Sequence, residues 1–156
     1  MKTIVVISDT HGNRAAIEKL LPIMAESDYI IHLGDTSGDG NMLRKTFGSK
    51  AYLLNGNCDP FKLGEDELEL TVERVKIFAC HGHMYGVKRS LDRLAYRAEE
   101  VGAQVALYGH THDAREDDIG GITLFNPGTL SRYSRNTYLF LVVNGDKFTG
   151  KIVELS

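Results

Sequence analysis

Several apolar runs in this chain stop abruptly at short clusters of polar and glycine residues, and few folds tolerate that pattern. The clusters are Asp9-Thr10-His11, Gly34-Asp35, Gly56-Asn57-Cys58-Asp59, His81-Gly82-His83 and Gly109-His110-Thr111-His112. The runs before them, such as Thr3 to Ser8 and Tyr29 to Leu33, lack polar alternation and are rich in β-branched residues, as strands buried on both faces are. In open α/β sheets ligands collect at the ends of parallel strands. The clusters hold five of the six histidines of the chain, together with three aspartates and one asparagine. Carboxylate, imidazole and amide groups gathered at strand ends suit divalent metals of borderline softness.

The rest of the pattern sets the architecture. Asn13 offers an N-cap to a helix over 14–25, with Ile17, Leu20, Leu21 and Met24 on one stripe. A short helix over 41–46 separates the second strand from a third over 51–55. Strand, helix, strand at this spacing implies parallel βαβ units. The middle and C-terminal parts change character. Runs 68–72 and 75–80 flank Glu73-Arg74 as a hairpin, and 90–101 forms an amphipathic helix before a buried strand at 104–108. Gly120-Gly121 separates two short strands. Asn144-Gly145, a strong hairpin signal, separates 137–143 from 148–154. Parallel units giving way to hairpins imply mixed sheets with helices outside. The apolar run 138–143 belongs either inside the fold or at a homo-oligomer interface.

Bulk properties narrow the function. A length of 156 residues suits one domain spanning 1–156, and 42% hydrophobic residues provide for a real core. A net charge of -3 gives no global attraction to nucleic acid or anionic membrane. No apolar stretch is long enough to span a bilayer, and Asp9 follows Ile4 to Ile7 too closely for a signal-peptide core. Two cysteines make no disulfide framework. The expected setting is the cytoplasm, with reduced thiols.

Asp9 and His11 stand two apart after the first run, so strand alternation would turn both toward one ion. Asp35, then Asn57 and Asp59, follow the second and third runs; His81 and His110 end later ones. Glycines 34, 56, 82 and 109 let the backbone turn and keep side chains clear of the ions. His32 lies inside a strand run and reads as a packed core histidine. From spacing alone, His110 and His112 can face the same ion or different ones.

As a set, Asp-x-His, Gly-Asp, Gly-Asn-x-Asp, His-Gly and Gly-His-x-His resembles the calcineurin-like metallophosphoesterase superfamily. Ser8-Asp9-Thr10-His11-Gly12 in so short a chain is similar to its small YfcE-type phosphodiesterase branch. The likeness runs from Asp9 to Asn126-Pro127-Gly128-Thr129. It implies a four-layer α/β/β/α sandwich of two mixed β-sheets flanked by helices. It also implies two divalent ions. Asp9, His11, Asp35 and His112 would hold the first, and Asp35, Asn57, His81 and His110 the second, with Asp35 shared. Mn2+ is the first choice of ion, with Ni2+, Co2+, Fe2+ or Zn2+ as alternatives. The implied reaction is in-line attack on a small phosphate diester by a metal-bridging hydroxide. Asn57 would stabilise the developing charge, and His81, Cys58 and Asp59 complete the catalytic set. A phosphomonoesterase with the same core and a non-catalytic module of the Vps29 type are the alternatives.

Relatives in this superfamily often carry His where this chain has Cys58. A thiol with an ordinary pKa near 8.5 is a poor substitute for imidazolium, so poor leaving groups should be handled slowly. Asp59 is expected either to orient its loop or to share proton work. His83 has two readings, substrate contact or a cap on its own loop. Arg89, Arg93 and Arg97 repeat every four residues and read as one solvated helix face. Arg132 and Arg135 follow the Asn126-Pro127-Gly128 turn and could touch substrate, though nothing in their spacing favours it. Cys80, inside a strand run, reads as inert.

Overall fold

The structure, a computed structural model, describes residues 1–59 and 64–156. Among the described residues, ten strands and three α-helices follow one another as β1 (Lys2–Ile7), α1 (Arg14–Glu26), β2 (Tyr29–His32), α2 (Gly40–Phe47), β3 (Ala51–Leu53), β4 (Glu67–Val72), β5 (Val75–Cys80), α3 (Asp92–Glu100), β6 (Val105–Leu107), β7 (Arg115–Ile119), β8 (Ile122–Asn126), β9 (Thr137–Asn144) and β10 (Lys147–Glu154). They form two five-stranded sheets, ordered β10-β9-β1-β2-β3 and β4-β5-β6-β8-β7. Both are mixed. β1, β2 and β3 run parallel, as do β5, β6 and β8, while hairpin partners supply the antiparallel edges.

The sheets pack face to face. Ile4, Val6 and Ile31 of the first meet Ile77, Ala79, Val105 and Phe125 of the second in one fully buried cluster. A second cluster joins the outer face of the first sheet to Ile17, Leu20 and Met24 of α1 and Leu43 of α2. A third joins Phe78, Ala106 and Leu124 to Leu94, Ala95 and Ala98 of α3. Residues that alternate along each strand thus enter different apolar layers, which is why these strands read as unbroken hydrophobic runs. The layers are α/β/β/α, as the resemblance implied. Among the described residues no helix is long and apolar enough to cross a membrane.

Three local expectations need correction: the Asn13 cap, the start of α3 and the solvated arginine face. Asn13 stands at the N-cap of α1 but does not cap with its side chain; Nδ2 donates to Leu130 O at 2.8 Å, because the loop before β9 lies against it. α3 begins at Asp92, not at residue 90, since Ser90 Oγ accepts the Asp92 N–H and ends the preceding turn. Arg89 therefore lies outside the helix, and Arg97 pairs with Glu67 and Glu100. Arg135 is drawn to Glu154 at 3.0 Å. Of the run 138–143, Tyr138, Leu139, Leu141 and Val143 are buried within the fold, with β9 lying between β1 and β10.

Candidate metal centre

The parallel strands of both sheets end on one rim, and their loops are stitched together there. Asp9 N–H donates to Gly34 O at 3.0 Å, and His11 N–H to Asp35 O at 2.9 Å. Gly109 N–H donates to His81 O at 2.9 Å in the other sheet. Two of the bonds at this rim cross between sheets. His110 N–H donates to Asp9 Oδ2 at 3.0 Å, and His81 Nδ1–H to Leu33 O at 2.9 Å.

These contacts orient two carboxylates in the same way. Asp9 Oδ2 is occupied by Ser8 Oγ–H and the His110 N–H. Its Oδ1 is left facing Nε2 of His112 at 3.1 Å, of His11 at 3.7 Å and of His81 at 3.8 Å. Asp35 Oδ1 accepts the Cys58 N–H at 2.8 Å. Its Oδ2 faces Nε2 of His81 at 3.3 Å and of His11 at 3.7 Å. Each carboxylate is anchored by one oxygen and offers the other to a shared space lined with imidazoles.

His81 provides the test of whether a cation fits. It is 1% exposed. Its Nδ1 proton is committed to Leu33 O, a common way to fix a metal-ligating histidine. Nε2 is buried and lacks a hydrogen-bond partner among the described residues. Nε2 thus faces two carboxylate oxygens with nothing between them, and an unpaired buried polar atom of this kind costs about 1–3 kcal/mol. Burial lowers the His81 pKa, but Asp35 and Asp9 outweigh it and carry it above the ordinary imidazole value. Burial likewise opposes the charge on Asp35, yet the adjacent His81 ring and the bond from the Cys58 N–H hold it well below the usual carboxylate range. A positive charge is wanted between these groups. Asp9, His11 and His112 can converge on one ion, and so can Asp9, Asp35 and His81.

His110 lies on the other side of His81, ring centroids 5.1 Å apart, and His83 is 5.4 Å from His81. His11 and His112 face each other at 5.5 Å. His110 and His112 are thereby separated, one toward His81 and one toward Asp9. Burial, then His81, lower the pKa values of both His110 and His83, favouring neutral rings. Asn57 is the ligand candidate drawn in least; its Nδ2 contacts Cys58 Sγ at 3.6 Å. Cys58 Sγ can approach His11 and Asp35 closely enough to share an ion. Burial and the Asp35 charge raise its pKa, so the thiolate is disfavoured. Burial also raises Cys80, which remains a thiol in the core.

Backbone geometry marks the same place. Eight non-glycine residues among those described have positive φ, and five of them are Asp9, His11, Asp35, His110 and His112. Each costs about 1–3 kcal/mol and persists only where surroundings over-determine it. This corrects the alternation argument: β1 ends at Ile7, and left-handed turns, not strand pleating, aim Asp9 and His11. At Gly56 and Gly109 a Cβ would lie 2.1 Å from Asp35 Oδ1 and Ser8 Oγ respectively, so nothing larger fits behind the carboxylates.

Asp59 has a definite place. Its carboxylate accepts the backbone N–H groups of Asp35, Thr36, Ser37 and Gly56. Burial would raise its pKa, but these bonds prevail and lower it. Ser8, Thr129, whose hydroxyl donates to Asp9 O at 2.8 Å, and Thr10 are supporting residues that spacing did not single out. Their only signal was position, beside Asp9 or within the Asn126-Pro127-Gly128-Thr129 loop.

Residues 1–146 match the model of the calcineurin-like phosphoesterase superfamily domain. The chain belongs to this superfamily. It is 35% identical over 150 residues to the probable metallophosphoesterase YsnB of Bacillus subtilis, covering 94% of this chain and 87% of YsnB. It is 28% identical over 155 residues to the phosphodiesterase YfcE of Escherichia coli, covering 84% and 80% of the two chains. A Streptococcus pneumoniae protein described as a predicted phosphoesterase has a crystal structure that superposes with a TM-score of 0.82 at 26% identity, over 98% of this chain and 89% of that one. In this superfamily divalent metals serve the reaction, and the donor set around His81 suits them.

Proposed function

We propose that this calcineurin-like phosphoesterase hydrolyses small phosphate diesters at a centre of two divalent ions. The reading is carried chiefly by the buried, unpartnered Nε2 of His81 facing the free oxygens of Asp9 and Asp35. Asp9, His11, Asp35 and His112 would hold one ion. Asp35, Asn57, His81 and His110 would hold the other, with Asp35 common to both. All seven donors are nitrogen or oxygen, which suits Mn2+ and leaves Ni2+, Co2+, Fe2+ and Zn2+ open. When bound, such ions would supply Lewis acidity and a water of lowered pKa.

The chain's own groups do the rest. Asp9 and Asp35 bring two negative charges to the centre, which moderates the repulsion of two cations while leaving net attraction for a phosphate ester. The neutral rings of His110 and His83 present nitrogen lone pairs rather than competing positive charge. The exposed Asn57 amide can donate to an equatorial phosphate oxygen as charge develops there. Asp59 acts as an orienting group, because its oxygens are already taken by four backbone N–H groups and lack a free position for proton transfer. Cys58, held as a thiol, offers little help to a poor leaving group.

Preference for diesters is supported by the likeness to YfcE, named a phosphodiesterase. The test is a panel of matched phosphate mono- and diesters assayed with each divalent ion. We expect metal-dependent turnover, highest with Mn2+ and favouring diesters. A preference for monoesters would make the protein a phosphomonoesterase. A folded protein that binds no ion and hydrolyses neither class would support the scaffold alternative.

A further inference from the structure

One buried imidazole outside the ligand set bridges the two loops that carry the carboxylates. His32, at the end of β2, is fully buried. Its Nδ1 accepts the Gly34 N–H at 3.0 Å. Nδ1 is therefore unprotonated, and the single proton of the neutral ring sits on Nε2. Nε2–H then donates to Thr10 Oγ1 at 3.0 Å. The Thr10 hydroxyl donates onward to Asp39 Oδ1 at 2.8 Å, and Asp39 Oδ2 accepts the Gly12 N–H at 2.9 Å. Every donor in this series meets an acceptor in one tautomer only.

The places it reaches are significant. Thr10 stands between Asp9 and His11, at φ 54° and 46°, and Gly34 at φ 111° sets the turn into Asp35 at φ 61°. These are the conformations that need outside support. A core position served by packing alone would favour an apolar side chain, since a buried imidazole must have its polar atoms met. Here both nitrogens are met by the two ligand-bearing loops and by nothing else among the described residues.

We propose that His32 is a positioning residue of the metal centre: with Thr10 and Asp39 it clamps the Asp9–His11 and Gly34–Asp35 loops into ligating register. The clamp rests on the metal-centre reading above. It does not touch substrate.

The test uses changes of one group at a time in the purified protein. Thr10→Val removes the hydroxyl at nearly constant volume, and Thr10→Ser restores it. His32→Asn keeps an acceptor near Nδ1 and loses the donor toward Thr10. Binding of Mn2+ and Co2+ is measured by calorimetry, beside thermal unfolding of the metal-free protein. Loss of supporting partners typically weakens metal sites about 10–100-fold. We expect at least a tenfold loss of affinity in Thr10→Val and His32→Asn, with Thr10→Ser within about threefold of wild type. Should His32→Asn fail to fold, the Thr10 pair decides. Unfolding temperatures that drop while Thr10→Val keeps wild-type affinity would reduce the series to structure and overturn the clamp. Nitrogen-15 spectra of the metal-free ring supply an independent reading: Nδ1 protonated in place of Nε2 would also overturn it. A wild-type protein that takes up no ion fails differently, sinking the metal-centre reading itself.

Discussion

The two sheets bring different chemistry to one rim. Loops of the first carry both inward-facing carboxylates, Asp9 and Asp35, with His11. Loops of the second carry only imidazoles, His81, His110 and His112, with His83 beside them. Neither half makes a balanced site. Carboxylates alone would repel one another, and imidazoles alone would lack the charge to hold a divalent ion. The sheets also exchange anchors: the second fixes Asp9 through the His110 N–H, and the first fixes His81 through Leu33 O. The two sheets thus hold one another's candidate ligands in place, and a change on either side should be felt on the other.

The largest effect should follow from removing the second sheet's buried donor. His81→Ala is expected to lower turnover by at least a thousandfold and to reduce metal content, although the side chain comes from a loop without a carboxylate. Turnover within tenfold of wild type in metal-supplemented assays would break the pairing of the sheets. Next comes Gly56→Ala. Its Cβ would press on Asp35 Oδ1, and overpacking of this kind costs about 1–3 kcal/mol. We expect a lower midpoint in denaturant and weaker metal binding together; a lost ion with unchanged stability would place the strain elsewhere.

Protonation behind the first sheet's loops gives a finer contrast. Burial lowers the His32 pKa to about 4, and burial raises Asp39 to about 6. Between about pH 4 and 6.5 the unfolded chain takes up a proton at His32 that the fold refuses, so this residue makes stability fall as pH drops. Asp39 works the other way: from about pH 6 down to 4 the fold takes up a proton before the unfolded chain does, so stability rises as pH drops. Asp39→Asn removes the opposing contribution. Metal-free stability in the variant should fall more steeply than in wild type on acidification from pH 6.5 to 4, as read from urea midpoints. Equal slopes would contradict the two shifts. The smallest effect is at Cys58. Cys58→His should raise turnover of an ester with a poor leaving group about tenfold and leave an activated ester unchanged; equal rates on both in the two proteins would remove any leaving-group role there.

Much of this could be read from residues alone, because the signals were local. Unbroken runs before Asp9, Asp35 and Gly109 marked strands buried on both sides, and Glu73-Arg74, Gly120-Gly121 and Asn144-Gly145 marked hairpins that do form. The candidate ligands were visible as a series for the same reason. What escaped was decided by distant partners. Asn13 has the chemistry of a cap, but a residue more than a hundred positions away takes its amide. The left-handed turns at Asp9, His11, Asp35, His110 and His112 leave no trace in composition. Asp59 allowed two roles, and three of the four backbone N–H groups it accepts lie more than twenty positions away, beyond what local pattern can reveal. His32 resembled core because its surroundings are core; only its two bonds, to Thr10 and Gly34, distinguish it.

The most direct test counts ions. Metal-free wild-type protein and Asp35→Ala would be titrated with Mn2+ and their bound metal measured per chain after dialysis. If both sheets close on a shared carboxylate, wild type takes up two ions and Asp35→Ala keeps neither at the same free concentration. Two ions retained without Asp35, or one or none in wild type, would contradict it.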